Sequence, residues 1–218
     1  MTDAVDTTRF WELLHALPAP DDAEFLYGRD DKGRLREHNL RRYLTLMEAI
    51  RPTVLLVGEA PGHRGNAITG VPFMSMRQLT AAPGLISGDP DGDGFLTPAD
   101  PPFGWEASSA VVWGTLATWR GPLPMSWAIY PHHPHEPGRP GTNRTPRAAE
   151  IAAGTPLVLA LAEAFGITTM VAVGRKAQHA LARGGVTATA VRHPAQGGAR
   201  AFAAQLTALN RADVPASP

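Results

Sequence analysis

Three segments of this chain carry residue types that could do chemistry together. The first is Gly58-Glu59-Ala60-Pro61-Gly62, which follows the apolar run 53–57 and continues through His63 and Asn66 to Phe73. A β-branched run that empties into a Gly/Pro-rich loop puts backbone N–H groups and an aromatic ring at the carboxyl end of a strand, where open α/β sheets bind ligands. The second is Tyr130-Pro131-His132-His133-Pro134-His135, leading to Asn143-Arg144-Thr145-Pro146. The third is Val191-Arg192-His193-Pro194-Ala195-Gln196-Gly197-Gly198. Small residues, a stackable ring and a histidine after a strand make a pocket for a flat heteroaromatic ligand. The first loop has neither the GxGxxG spacing of a dinucleotide site nor the Gly-Lys-Ser/Thr ending of a P-loop. The chain also lacks Gly-x-Ser-x-Gly and a coherent Ser/His/Asp set, which counts against a generic α/β hydrolytic enzyme.

These segments need a scaffold that brings strand ends together. Four β-like runs, at 53–57, 127–130, 168–173 and 186–191, each end in turn chemistry. Between them lie helical patterns at 35–50, 108–118, 146–165, 176–182 and 199–209, the first with Leu40, Tyr43, Leu44, Met47 and Ile50 on one face. Thr145-Pro146 reads as the N-cap and first residue of its helix. Strands alternating with helices imply parallel pairing through right-handed crossovers. The expectation is a three-layer α/β/α fold with a four-stranded parallel sheet. One domain over 1–212 is expected, with an acidic Gly/Pro/Asp-rich insertion at 83–104 and a frayed tail at 213–218.

Composition narrows the class. The 218 residues are 44% hydrophobic and 18% charged, which suits a globular chain with a sizeable core. Twenty basic and twenty acidic side chains balance, so any nucleic-acid contact must come from a local basic face. With no cysteine, disulfides, thiolate zinc sites and iron–sulfur clusters are excluded. No apolar stretch approaches the ~20 residues of a membrane span, and the acidic N-terminus does not suit a signal peptide. A cytoplasmic monomer without a membrane partner is the expectation.

Taken in order along residues 50–205, these motifs resemble the uracil-DNA glycosylase superfamily. GEAPG and NRTP are similar to the thermophile-type iron–sulfur branch, TGVPF to the single-strand-selective branch, and VAVGRKA followed by RHPA to the third strand, helix and terminal His-Pro motif. The resemblance implies a glycosylase that flips a damaged base such as uracil out of DNA and hydrolyses its N-glycosidic bond, with water as second substrate and no cofactor. It implies Glu59 and His193 as catalytic residues, and Gly58, Ala60, Pro61, Gly62, Phe73 and Ala128 around the base. Phe73 then stacks on the flipped ring, and His193 donates to the ring oxygen where charge develops. Arg192, Gln196, Arg200, Arg175 and Lys176 are implied as DNA contacts, with Gln196 or Arg200 as the wedge.

The chain departs from the superfamily pattern at two positions. Ala60 stands where members often place a water-activating Asp or Asn, and Ala128 where a base-reading Asn is usual. Glu59 is the nearest replacement acid, either positioning water or serving as an ordinary solvated or Arg-paired carboxylate. The departures motivate an alternative: a catalytically weak or silent member that binds nucleic acid or a free base without cutting.

Two further clusters have metal-ligand chemistry. His132, His133 and His135 are close in sequence, but a Pro-interrupted loop sets no ligand geometry. The run Asp89 to Asp100 matches an EF-hand pattern, with Asp89, Asp91, Asp93, Phe95 and Asp100 as candidate calcium ligands. Pro98, Pro101 and Pro102 forbid a regular exiting helix there.

Overall fold

The computed structural model describes residues 4–212. The expected sheet is present. Strands β2 (Val54–Gly58), β3 (Met125–Ala128), β5 (Thr169–Val173) and β6 (Thr189–Val191) form a four-stranded parallel sheet in the order β3-β2-β5-β6. Alternate residues of each strand face opposite sides. Leu55, Val57, Met125, Trp127 and Ala172 join one core with α1 (Thr8–Ala16), α2 (Asp31–Ile50), α6 (Ala148–Ala164) and α7 (Arg175–Arg183). Val54, Leu56, Val171, Val173 and Val191 pack on the other side against α5 (Ala107–Leu116) and α8 (Ala199–Ala212). Every residue of the central strand β2 is buried, which its unbroken apolar sequence requires.

Element ends differ from the sequence reading for local reasons. Helix α2 begins earlier, because the Asp30 carboxylate accepts from Gly33 N–H at 3.0 Å and caps it. Helix α6 starts at Ala148 rather than Pro146: Arg147 is the N-cap residue, and its N–H donates to Glu150 Oε2 at 2.6 Å. Thr145 is thereby freed to face the strand ends. Strand β6 is shorter than 186–191, since Val186 N–H turns back to Leu181 O at 2.9 Å. The proposed tail at 213–218 lies outside the described residues.

Five elements lie outside the runs read from the sequence. Helix α1 buries Phe10 and Leu14, and Phe10 meets Trp127 edge-on. Strands β1 (Ala23–Glu24) and β4 (His133–Pro134) form a small antiparallel ribbon. The ribbon is reinforced by a partly buried ion network in which Arg144 forks between Asp22 (3.0 Å) and Glu150 (2.7 Å), while the exposed Arg147 reaches both carboxylates. This network clamps the segment after β3 to the start of α6. Two short helices, α3 (Asn66–Thr69) and α4 (Met76–Leu79), follow the loop after β2.

The candidate calcium residues of 89–100 form no converging ligand group among the described residues. Asp93 is buried, and its carboxylate accepts from Ile86 N–H, Ser87 N–H and Ser87 Oγ. Asp89 Oδ1 accepts from Asp91 N–H at 2.9 Å, and the Phe95 ring packs on the core. Asp100 is exposed. Arg42 bonds Asp93 O at 2.7 Å and Asn39 pairs with the Leu96 backbone, so the insertion is stitched onto α2. Among the described residues no group of three or more His, Asp or Glu side chains could hold a metal. No helix of the described residues is long and apolar enough to cross a membrane.

Candidate active site

The carboxyl ends of β2 and β3 sit side by side, with Gly58 opposite Ala128 in register. The pairing continues past the strands through Ile129 N–H to Gly58 O (2.9 Å) and Tyr130 N–H to Glu59 O (3.1 Å). The chain segments that leave these ends, together with those after β5 and β6, enclose a cavity of about 310 Å³. Gly58, Glu59, Ala60, Pro61, Gly62, Phe73, Ala128, Lys176 and His193 all line it. That volume is at the small end of ligand pockets and suits a single heterocycle.

Phe73 is held there against backbone preference. Its φ is 52°, a left-handed conformation that bulky residues rarely adopt. Trp113 Nε1–H donates to the Phe73 carbonyl at 3.0 Å and fixes the turn. The ring lies over Gly58: a Cβ built on that glycine would be 2.8 Å from Phe73 Cζ. Glycine at the strand end is therefore what admits the ring. Residues in sparsely populated backbone regions tend to cluster at functional sites, where the surrounding structure enforces them.

His193 follows β6, half-buried, with its Cβ against Gly174. Burial, and then the positive charges of Arg192 and Lys176, push its pKa below the ordinary 6.5. The ring is thus neutral at physiological pH and carries one proton. Ala195 N–H donates to Nδ1 at 3.1 Å. The proton therefore belongs on Nε2, which makes that nitrogen the ring's donor.

Glu59 is one quarter exposed and pairs with Lys176 Nζ at 3.0 Å; the same ammonium donates to Thr145 Oγ1 at 2.5 Å. Lys176, expected as a DNA contact, lines the cavity with its side chain half exposed. Arg175, Arg192, Gln196 and Arg200 are exposed, and Gln196 stands at a turn tip with φ 52°, followed by Gly197 at φ 75°.

Several lining residues were missed from sequence. Asn66, Glu106 and Asn143 all reach the cavity. The Glu106 carboxylate rests against the first loop so closely that a Cβ at Gly62 would be 2.7 Å from Oε1, and one at Gly65 would collide with Oε2. Asn143 Oδ1 accepts from His63 N–H at 3.0 Å and ties the loop after β4 to the loop after β2. Asn66 and Asn143 lie inside the first and second segments singled out above without an assigned role, and Glu106, whose placement depends on long-range packing, lies outside all three. The three histidines of the Pro-His segment are structural. They are buried; His132 Nε2 bonds Leu17 O (3.1 Å), His133 lies between Pro61 O (2.9 Å) and Pro140 O (3.1 Å), and His135 bonds Glu136 O (2.9 Å).

Fold and cavity together define an α/β/α protein with one slot at the carboxyl edge of a parallel sheet. The family model described as "Uracil DNA glycosylase superfamily" matches residues 46–211, and the chain belongs to that superfamily. A solved structure similar to this one is the wild-type SMUG2 of Pedobacter heparinus. It is 15% identical with a TM-score of 0.58, and the match covers 92% of this chain and 96% of that one. No curated protein matches the chain. The glycosylase-like character of the domain follows from the family.

Proposed function

We propose that this protein is a monofunctional DNA glycosylase that draws a deaminated base, such as uracil, into the cavity and hydrolyses its N-glycosidic bond. The observation that carries the reading is that Glu59, Phe73 and His193, far apart in sequence, line one cavity of about 310 Å³. Phe73 stacks on the extruded ring, a contact worth about 1–3 kcal/mol per base. His193 Nε2–H donates to the base carbonyl where negative charge builds as the bond to the sugar breaks. A neutral donor suits this role, because it stabilises the leaving anion without first losing a charge of its own. Glu59, oriented by Lys176, holds the water that attacks the sugar carbon. Arg192, Gln196, Arg200 and Arg175 meet the duplex, and the exposed turn at Gln196 fills the space the base vacates.

The test is a duplex oligonucleotide with uracil, hypoxanthine or xanthine at one position, incubated with protein and then cleaved with alkali. Strand scission dependent on His193 is expected. Absence of product with every base, in single- and double-stranded DNA, overturns the enzymatic reading. A second reading rests on Ala60 and Ala128, which line the cavity without a polar side-chain atom: a relative that binds the base or nucleic acid without excision. Glu59→Gln separates the two. Lost turnover with binding retained supports the enzyme, and tight binding with intact substrate in parent and variant alike supports the silent binder.

A further inference from the structure

The cavity lining holds a polar group that the scheme above leaves unused. Asn66 opens α3 and is only 6% exposed. Its main-chain carbonyl is taken by Gly70 N–H at 2.8 Å, but its side-chain Oδ1 is buried and has no hydrogen-bond partner among the described residues. It lines the cavity together with Gly58, Pro72, Phe73 and Ala128. Buried side-chain polar atoms are nearly always paired, and an exception in a ligand-sized cavity points to a partner supplied from outside. Asn143, the other amide in the wall, is already committed to His63.

An amide offers an acceptor beside two donors. Its complement is a ring N–H next to a carbonyl, the lactam edge that deamination creates on a pyrimidine or purine. The end of β3 cannot read that edge, because Ala128 has no polar side-chain atom. We propose that Asn66 is the specificity residue of this slot: Oδ1 accepts the ring N–H and Nδ2 donates to the neighbouring carbonyl of a base stacked on Phe73. The proposal rests on the nucleobase reading above and adds the group that recognises the base. The backbone turn that delivers Asn66 is itself fixed, since Ala67 N–H bonds Gly62 O at 3.1 Å and Glu106 packs on Gly65.

The experiment compares binding of free uracil, 3-methyluracil and cytosine by calorimetry in the parent, Asn66→Ala and Asn66→Asp, alongside the excision assay. 3-Methyluracil keeps the ring and both carbonyls but has lost the N–H. The parent is expected to favour uracil over 3-methyluracil by on the order of 10–100-fold, as two neutral hydrogen bonds allow. Asn66→Ala is expected to bring that ratio close to one while leaving stacking on Phe73. Asn66→Asp, nearly isosteric and therefore informative if the alanine variant does not fold, is expected to fall between them. A ratio unmoved in folded variants, or cytosine bound as tightly as uracil by the parent, overturns the assignment. If the parent binds uracil with the expected ratio but excises nothing, excision fails and the Asn66 assignment stands. If it excises and the ratio does not respond to Asn66, the reverse holds. A parent that neither binds nor excises any base sinks both.

Discussion

Replacing His193 probes the chemistry most directly. The imidazole is neutral because burial, Arg192 and Lys176 all disfavour its cation. Its Nδ1 is occupied by Ala195 N–H, so Nε2–H is the ring's remaining donor, the one proposed to meet the leaving base. Losing one such preorganised donor costs about 2.7–4 kcal/mol in closed sites. His193 is only half-buried, so water can replace part of the lost bond. A figure of roughly 2–3 kcal/mol follows, or a roughly 30–150-fold lower single-turnover rate. Glutamine at the same position retains an N–H but also presents an amide oxygen, and it recovers only part of the loss. The assay is single-turnover base release from a uracil- or hypoxanthine-containing duplex, read after alkaline cleavage, for parent, His193→Ala and His193→Gln. An alanine variant within threefold of an active parent refutes the argument, because the only donor assigned to the developing charge would then be dispensable.

The other predictions concern the scaffold and its pH response. Gly58→Ala puts a Cβ 2.8 Å from Phe73 Cζ and displaces the ring; overpacking of this kind costs about 1–3 kcal/mol in denaturant unfolding, and base affinity should fall by at least as large a factor as stability. Trp113→Phe removes the donor to the Phe73 carbonyl; a stability loss of about 0.5–1.5 kcal/mol is expected, with a larger relative loss of base binding, and equal or no loss in binding would show that the turn holds without it. Asp22→Asn weakens the network of Arg144, Arg147 and Glu150 and should lower Tm in thermal unfolding. Arg147, then Arg144, hold Asp22 well below the usual carboxylate range, and for Glu150 the bonds from Arg144 and Arg147 N–H outweigh burial; both groups thus contribute stability that is present above their unfolded-state values and lost as pH falls further into acid, a loss the variant should show less steeply. His132 and His193 act at higher pH: burial depresses both. The unfolded chain therefore binds more protons below 6.5, and stability that is full above that value declines as pH falls toward the folded-state values, measurable as a falling denaturation midpoint and by imidazole resonances that titrate below 6.5.

What could be read from the sequence was local and periodic. Apolar strands ending in Gly or Pro turns announced the sheet, and the β2 loop, Phe73 and His193 were placed at its carboxyl edge because parallel topology leaves strand ends together. Pairings without local pattern were invisible. The β1–β4 ribbon rests on two residues from each strand, and the Arg144 fork joins positions more than a hundred residues apart. Helix α1 did have a signal in the spacing of Phe10 and Leu14, one the sequence reading did not use. The acidic loop shows the opposite case: spacing matched a calcium site, but the Asp93 carboxylate accepts from Ile86 and Ser87 N–H.

The two alanines give the site its character. A polar side chain at position 60 or 128 would have acted from the rim of the sheet, where β2 and β3 end together. With alanine at both, Glu59 is the polar side chain left at the strand end, and further polar atoms facing the cavity come from elements that reach in from outside the sheet: Lys176 from the start of α7, Asn66 from α3, His193 from the turn after β6, and Glu106 from the head of α5. Lys176 is held by Glu59 and Thr145, Glu106 rests on Gly62 and Gly65, and His193 accepts from Ala195 N–H, so the site depends on how the loops pack on one another as well as on strand register. Ala128→Asn tests that dependence. If the loops have taken over recognition, an amide restored at the strand end competes with Asn66 for one base edge and gains less than the roughly 10–100-fold that two hydrogen bonds could give. A full gain in base affinity would mean instead that the strand position had simply been vacant.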